Sequence, residues 1–275
     1  MNSPEHSPLG KETPYADRYD PALLFPIPRA SNRAELGLAE PLPFHGVDVW
    51  NAYELSWLDP RGKPVIALAE FRVPALSPHL IESKSFKLYL NGFAGERIAD
   101  AATLASTLTR DLSAAAGAVV GVQLSDARAA TCPVGDLDGH LLDGQDIEID
   151  DYGPPNADFL RADRTATPVA ETLVSHLLRS NCPVTGQPDW GGVQIAYRGA
   201  PIDHAGLLRY LVSFRNHNEF HEHCVERIFV DLSRTCEPQQ LSVYARYTRR
   251  GGLDINPLRM TPGQAPGAAT RNRRQ

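Results

Sequence analysis

An order of elements that occurs twice constrains this chain more than any single residue does. Val47-Asp48-Val49-Trp50-Asn51-Ala52-Tyr53-Glu54-Leu55-Ser56-Trp57 alternates apolar and polar residues, as a half-buried strand does. Asp59-Pro60-Arg61-Gly62-Lys63 has turn chemistry, and Pro64–Val73 reads as the returning strand. A Pro-containing link leads to Ile81–Tyr89, then to a helix around Ile98–Ala116 with Gly117 as its C-cap, then to a strand over Ala118–Leu124. The second half repeats the order: a strand over Gly192–Tyr197, a turn at Gly199-Ala200-Pro201, a return over Leu207–Phe214, a helix opening at Glu219–Cys224, and a strand over Leu241–Tyr247. In each half a glutamate, Glu82 or Glu222, falls near the start of the helical region. The expected architecture is α+β, two tandem modules of antiparallel sheet with helices packed on one face. We expect an N-terminal arm over 1–45, one module over 46–150 and a second over 151–275, with a Gly-, Pro- and Asp-rich link within 125–165. A further helix is expected over Val169–Arg179.

Length and charge narrow the function classes. A chain of 275 residues can bury a sizeable core, and 42% hydrophobic with 22% charged residues is a globular composition. A net charge of −6 argues against a broad nucleic-acid or membrane surface. No apolar run approaches the roughly 20 residues that span a bilayer, and the polar N-terminus shows no secretory signal. Four cysteines at irregular spacing (Cys132, Cys182, Cys224, Cys236) do not form a disulfide framework, so reduced thiols and a cytoplasmic location are expected. The arm is expected to dock through Leu23-Leu24-Phe25-Pro26-Ile27, and the basic tail Arg271–Arg274 to be a solvated terminus.

The chemistry-bearing residues lie in a few short stretches. Ser180-Asn181-Cys182-Pro183-Val184-Thr185-Gly186-Gln187-Pro188-Asp189-Trp190 holds a thiol and a carboxylate on a Pro- and Gly-punctuated turn, with a helix expected before it and a strand after it. A thiolate attacks electrophilic carbon, and Asp189 suits the role of proton donor because its charge repels a thiolate. The ordinary alternative for Cys182 is a small buried hydrophobe. Cys132-Pro133-Val134-Gly135-Asp136 is a local echo of that motif, and Cys224 and Cys236 read as core. His217, His221, His223 and Cys224 cluster, but the HExxH pattern and a second Cys/His pair are missing, so no metal site is expected. His221-Glu222 can read an amidine-like ring edge, with Glu222 accepting two parallel N–H bonds; a helix N-terminal charge is the alternative. Glu82-Ser83-Lys84-Ser85-Phe86-Lys87 and Arg249-Arg250-Gly251-Gly252 could meet a phosphate or polar ring. There is no Gly-x-Gly-x-x-Gly, and so no Rossmann fingerprint.

Together these stretches resemble the NADPH-dependent 7-cyano-7-deazaguanine reductases, the nitrile reductases of queuosine biosynthesis. The resemblance rests on Glu82-Ser83-Lys84-Ser85-Phe86-Lys87-Leu88-Tyr89, Cys182–Trp190, Phe220-His221-Glu222 and Arg249-Arg250-Gly251-Gly252-Leu253-Asp254-Ile255-Asn256-Pro257, and spans about residues 20 to 260. It implies the tunnelling fold in its long, two-module form, with barrels completed in a homodimer or larger assembly and no catalytic zinc. It implies that Cys182 adds to the nitrile to form a thioimide while Asp189 protonates the nitrogen. By the same resemblance Ile81, Glu82, Ser83, His221 and Glu222 bind substrate, and Ser83, Lys84, Arg250 and Gly251 contact NADPH. The different-class alternatives are a zinc-dependent, pterin-forming enzyme like GTP cyclohydrolase and a non-catalytic purine- or pterin-binding module.

Overall fold

The computed structural model describes residues 18–128, 134–264 and 271–275. Residues 1–17 of the arm and the Cys132-Pro133 echo lie outside the described residues. The chain forms two units that interleave in sequence, one of residues 1–34, 47–131 and 249–255, the other of residues 35–46, 132–248 and 256–275.

The first unit contains β1 (Pro26–Pro28), α1 (Ala30–Glu35), β2 (His45–Leu58), β3 (Pro64–Pro74), β4 (His79–Ile81), α2 (Ser83–Asn91), α3 (Ala101–Ala116) and β5 (Gly121–Asp126). Its main sheet is antiparallel in the order β2, β3, β5, and β1 pairs with β4 with Pro26 opposite Ile81. The apolar island of the arm therefore docks as expected, burying Leu24 and Ile27. On β2 the alternation changes phase: Trp50 and Ala52 are buried, then Leu55 and Trp57. A register shift between Ala52 and Leu55 inserts one extra residue at Tyr53-Glu54, a β-bulge that resets which parity faces inward. Leu104, Leu108, Leu112 and Ala116 form the buried stripe of α3 at helical spacing. Asp100 caps its start by accepting from Thr103 N–H at 2.7 Å, and Gly117 ends it with φ +71°, as expected.

The second unit contains β6 (Val134–Gly135), β7 (His140–Leu141), β8 (Val169–Ser175), β9 (Arg179–Asn181), β10 (Pro188–Gly199), α4 (His204–Val212), α5 (His221–Cys236), β11 (Gln240–Tyr247), most of β12 (Leu253–Met260) and β13 (Arg271–Asn272). Antiparallel pairing joins β8, β10, β11 and β12 in that order, and β7 adds in parallel to β8. Buried Leu173, Val193, Ile195, Leu241 and Val243 from these strands pack with Leu207, Leu211, Val225, Ile228 and Leu232 from the helices.

Three expectations are corrected here. Val169–Arg179 is not a helix: β8 and β9 pair with β10, matching Val193 with Ser175 and Asp189 with Ser180. Its short apolar run fits either period, and strand pairing decides. Leu207–Phe214 is not a strand but the end of α4 and the 3₁₀ turn Ser213–Asn216. The basic tail is not a solvated terminus either. Asn272 and Gln275 are buried, Gln275 Nε2 donates to the Tyr247 carbonyl at 3.0 Å, and Arg274 donates to the carbonyls of His176 and Gly191.

These corrections change the repeat. Glu82 caps α2, accepting from the N–H groups of Lys84 and Ser85; Asp203 caps α4 in the same way, through Ala205 and Gly206. Each short helix is followed by a four-residue 3₁₀ turn and then a 16-residue helix. The counterpart of Glu82 is thus Asp203, and Glu222 belongs to the start of the second, longer helix.

Candidate active site

Cys182 and Asp189 lie on one hairpin. Asp189 faces Ser180 across the β9–β10 pair, and the next step closes through Cys182 N–H donating to the Gln187 carbonyl at 2.8 Å. Gly186, at φ +65°, turns the chain back and donates to the Cys182 carbonyl at 3.0 Å. Because side chains alternate along strands, Ser180, Cys182 and Asp189 share a face, with the thiol and the carboxylate as diagonal neighbours. All three are buried, whereas Pro188 and Trp190 are exposed on the other face. Arg179 and Arg215 place their guanidinium carbons 5.3 and 5.5 Å from the Trp190 ring.

The start of α5 meets this face. His221 Nε2 lies 3.6 Å from Asp189 Oδ1, and the imidazole packs edge-on to Tyr247 with ring centroids 4.1 Å apart. Gly191, opposite Tyr247 across β10–β11, makes room for that ring: a Cβ there would sit 3.1 Å from Tyr247 Cδ1. Glu222 is buried in the same first turn of α5. Burial, reinforced by the negative charge of Glu219, pushes the Cys224 thiol well above its ordinary range, and burial lifts Cys236 to about 11. Neither is a thiolate at neutral pH.

The other expected site residues lie in the first unit. Glu82 accepts from Lys84 N–H and Ser85 N–H at 2.7 Å each, so its carboxylate is locked as the N-cap of α2. Burial raises Glu82 above the usual carboxylate range, and the two amides and Lys87 offset only part of that. Ile81 ends β4 and is buried, while Ser83 and Lys84 are half-buried at the helix start. Arg250 and Gly251 belong to a tight turn: Arg250 N–H donates to the Leu253 carbonyl at 2.8 Å, and Gly251 and Gly252 take φ +60° and +81°. Two positive-φ residues at its centre are what only glycine adopts cheaply. A Cβ on Gly251 would sit 3.2 Å from Lys87 Cδ, so the Lys87 side chain lies directly on the turn.

Residues 15–124 match the family model described as the N-terminal part of nitrile reductase, 7-cyano-7-deazaguanine-reductase, and residues 188–265 match that of QueF-like protein. The NADPH-dependent 7-cyano-7-deazaguanine reductase of Cupriavidus necator is 60% identical over 278 residues, covering 100% of both chains. That of Cupriavidus metallidurans is 62% identical over 262 residues, covering 94% of each, and that of Burkholderia mallei 59% identical over 274 residues, covering 99% of this chain and 100% of its own. The chain belongs to the NADPH-dependent 7-cyano-7-deazaguanine reductase family.

Within this reductase, Lys87, in the stretch Glu82–Lys87 already read as a contact for a phosphate or polar ring, stands one helical turn from Lys84. Tyr247 has no sequence signal, since its contact with His221 arises only from strand register and the gap at Gly191. A turn that carries Arg250, has Lys87 lying on it and leaves no Cβ to block approach suits an anionic dinucleotide such as NADPH. Among the described residues there is no group of three or more His, Cys, Asp and Glu side chains placed to hold a metal.

Behind α5, Glu219 accepts from Arg227 at 2.8 and 3.1 Å and lies 3.1 Å from His217 Nε2. Burial alone would raise Glu219, but those hydrogen bonds and charges outweigh it and bring the carboxyl to about 2. Its folded value lies below the unfolded one, so its contribution is complete above pH ~4.5 and is lost as pH falls toward ~2, about 3 kcal/mol in all. Urea unfolding of the wild type and Glu219→Gln should therefore differ most near pH 7, with the gap narrowing toward pH ~3. A gap that stays constant with pH would show that this carboxylate does not carry the linkage.

Proposed function

We propose that this chain reduces the nitrile of 7-cyano-7-deazaguanine to the primary amine, with Cys182 as nucleophile and Asp189 as acid. The observation that carries the assignment is the common buried face of Cys182 and Asp189 on the β9–β10 hairpin. A nitrile carbon accepts sulfur, and S–H adds across the triple bond: sulfur bonds carbon, a proton reaches nitrogen, and a thioimide forms. Asp189, diagonal to the thiol, gives a proton to nitrogen and takes the thiol proton in exchange, so it ends as it began, with His221 3.6 Å away to orient it. NADPH supplies hydride when bound. Lys84, Arg250 and the Gly251 backbone would hold its anionic groups, with Ser83 beside them. Ile81, Glu82, Ser83, His221 and Glu222 are read as substrate-binding residues, a glutamate being the acceptor that suits paired N–H groups of a ring edge.

The reading extends to the fold and the assembly. Residues 46–150 and 151–275 are taken as tunnelling-fold modules in tandem, working as a homodimer or larger assembly in the cytoplasm. The α+β antiparallel architecture supports the first. Among the described residues no helix is long and apolar enough to cross a membrane, which is compatible with the last.

Asp189→Asn tests the acid. It keeps the shape of the buried side chain but cannot give a proton, so turnover should fall about 10²- to 10⁴-fold while the unfolding midpoint holds. Turnover within a few-fold of wild type in the folded variant removes Asp189 from the role.

A further inference from the structure

The turn Arg249-Arg250-Gly251-Gly252 contains two consecutive glycines at positive φ, the residue type that loses most freedom when fixed. Such a turn has little of its own to hold it in one shape. The structure supplies the hold from β2. The bulge takes Tyr53 and Glu54 out of the β3 ladder, and Tyr53 N–H donates to the Gly252 carbonyl at 3.0 Å. The Tyr53 hydroxyl donates to Asp254 Oδ2 at 2.6 Å, two residues beyond the turn, while Asn51 Nδ2 donates to Oδ1 at 2.7 Å. Asp254 is 1% exposed, so this carboxylate is a fixed post. On the other side of the turn, the Arg249 guanidinium lies over the Tyr53 ring, 5.0 Å from its centroid. Gly252 faces the Glu54 side chain, at ordinary contact distance from a Cβ placed there.

We propose that Tyr53 is a positioning residue for cofactor binding, clamping the Arg249–Gly252 turn through its backbone, ring and hydroxyl. The proposal rests on the reading of Arg250 and Gly251 as NADPH contacts. Tyr53 touches neither cofactor nor substrate in this scheme; its effect passes through the turn.

A clamp of this kind separates cofactor affinity from chemistry. Tyr53→Leu, which removes ring and hydroxyl, should raise the KM for NADPH about tenfold or more with kcat within about twofold. Tyr53→Phe keeps the ring under Arg249 and loses only the Asp254 bond, so the rise should be about threefold, a partial rescue. Addition of the Cys182 thiol to 7-cyano-7-deazaguanine needs no NADPH, and its rate without cofactor should match wild type in both variants. An unchanged KM for NADPH in Tyr53→Leu overturns the proposal, as does loss of adduct formation in parallel, which would mark a general structural role. If Tyr53→Leu does not fold, Tyr53→Phe decides by the same two readouts, an unchanged KM overturning the clamp. Arg250→Ala keeps the two failures apart: if it leaves the KM for NADPH unchanged, the cofactor reading of the turn fails, whatever Tyr53 does.

Discussion

Cys182→Ala should abolish reduction while leaving the protein folded. The side chain is 6% exposed and small, and losing one buried sulfur costs about 1 kcal/mol, well inside the margin of a domain. The chemical loss is of another order, because the other two described cysteines are poorly placed to take over the attack. Cys224 and Cys236 are buried, with thiols pushed up by burial. Removing a covalent nucleophile typically costs a factor of about 10⁴ or more in turnover. Intact mass of the wild type mixed with 7-cyano-7-deazaguanine should show one adduct, and oxidation should approach about two NADPH per nitrile, since the amine lies two hydrides away. Cys182→Ala should show neither. An adduct that survives in Cys182→Ala moves the nucleophile elsewhere, and a wild type with neither adduct nor NADPH oxidation removes nitrile reduction altogether.

The hairpin also shows what could and could not be read before the structure. The Cys–Asp spacing and the Pro and Gly residues marked Cys182–Asp189 as a rigid turn with a thiol and a carboxylate, and that much stands. That the two share a buried face depends on register, and register depends on Ser180 pairing with Asp189, which a helix over Val169–Arg179 would have prevented. Local pattern favoured the helix because Leu173, Leu177 and Leu178 also fit its spacing. The signals with a purely local cause were the legible ones: the Gly117 cap and the Pro64 return strand. Tyr53, Tyr247 and Gln275 were not legible, because each acts through a partner set by long-range pairing. Glu82 is instructive in another way. The motif marked it as a ring acceptor, and the structure shows both its oxygens already bonded to the amides of α2. Oε1 also accepts from the Ser83 hydroxyl at 3.4 Å, and only the second lone pair of Oε2 is left by these bonds, so the cap fixes the carboxylate's direction without excluding a ligand.

The largest stability effect should come from a residue that carries no chemistry. Glu226 on α5 accepts from Arg259 Nε and Nη2 at 3.1 and 2.9 Å, and both side chains are fully buried. Arg259 also donates to the Leu258 carbonyl and lies over Phe44, its guanidinium carbon 5.7 Å from the ring. Glu226→Ala leaves a buried guanidinium without this carboxylate, at a cost of about 3 to 5 kcal/mol. That is a large part of the roughly 5 to 15 kcal/mol that keeps a domain folded, and urea unfolding should show it directly. A loss below about 1 kcal/mol would mean that the pair is not dry. Restoring an apolar fill through Glu226→Leu with Arg259→Met should recover most of the stability, since a packed apolar pair often equals or exceeds a buried ion pair. Turnover should not recover with it. Glu226 stands one helical turn beyond Glu222, on the helix whose first turn holds His221 against Asp189, and the two N–H groups converging on its Oε1 give that helix a directional tie. An apolar contact is non-directional. We therefore expect the double variant to unfold near the wild-type midpoint yet turn over about tenfold slower, with Cys182 still forming its adduct. Full turnover in the stable double variant would reduce the Glu226–Arg259 pair to a packing element.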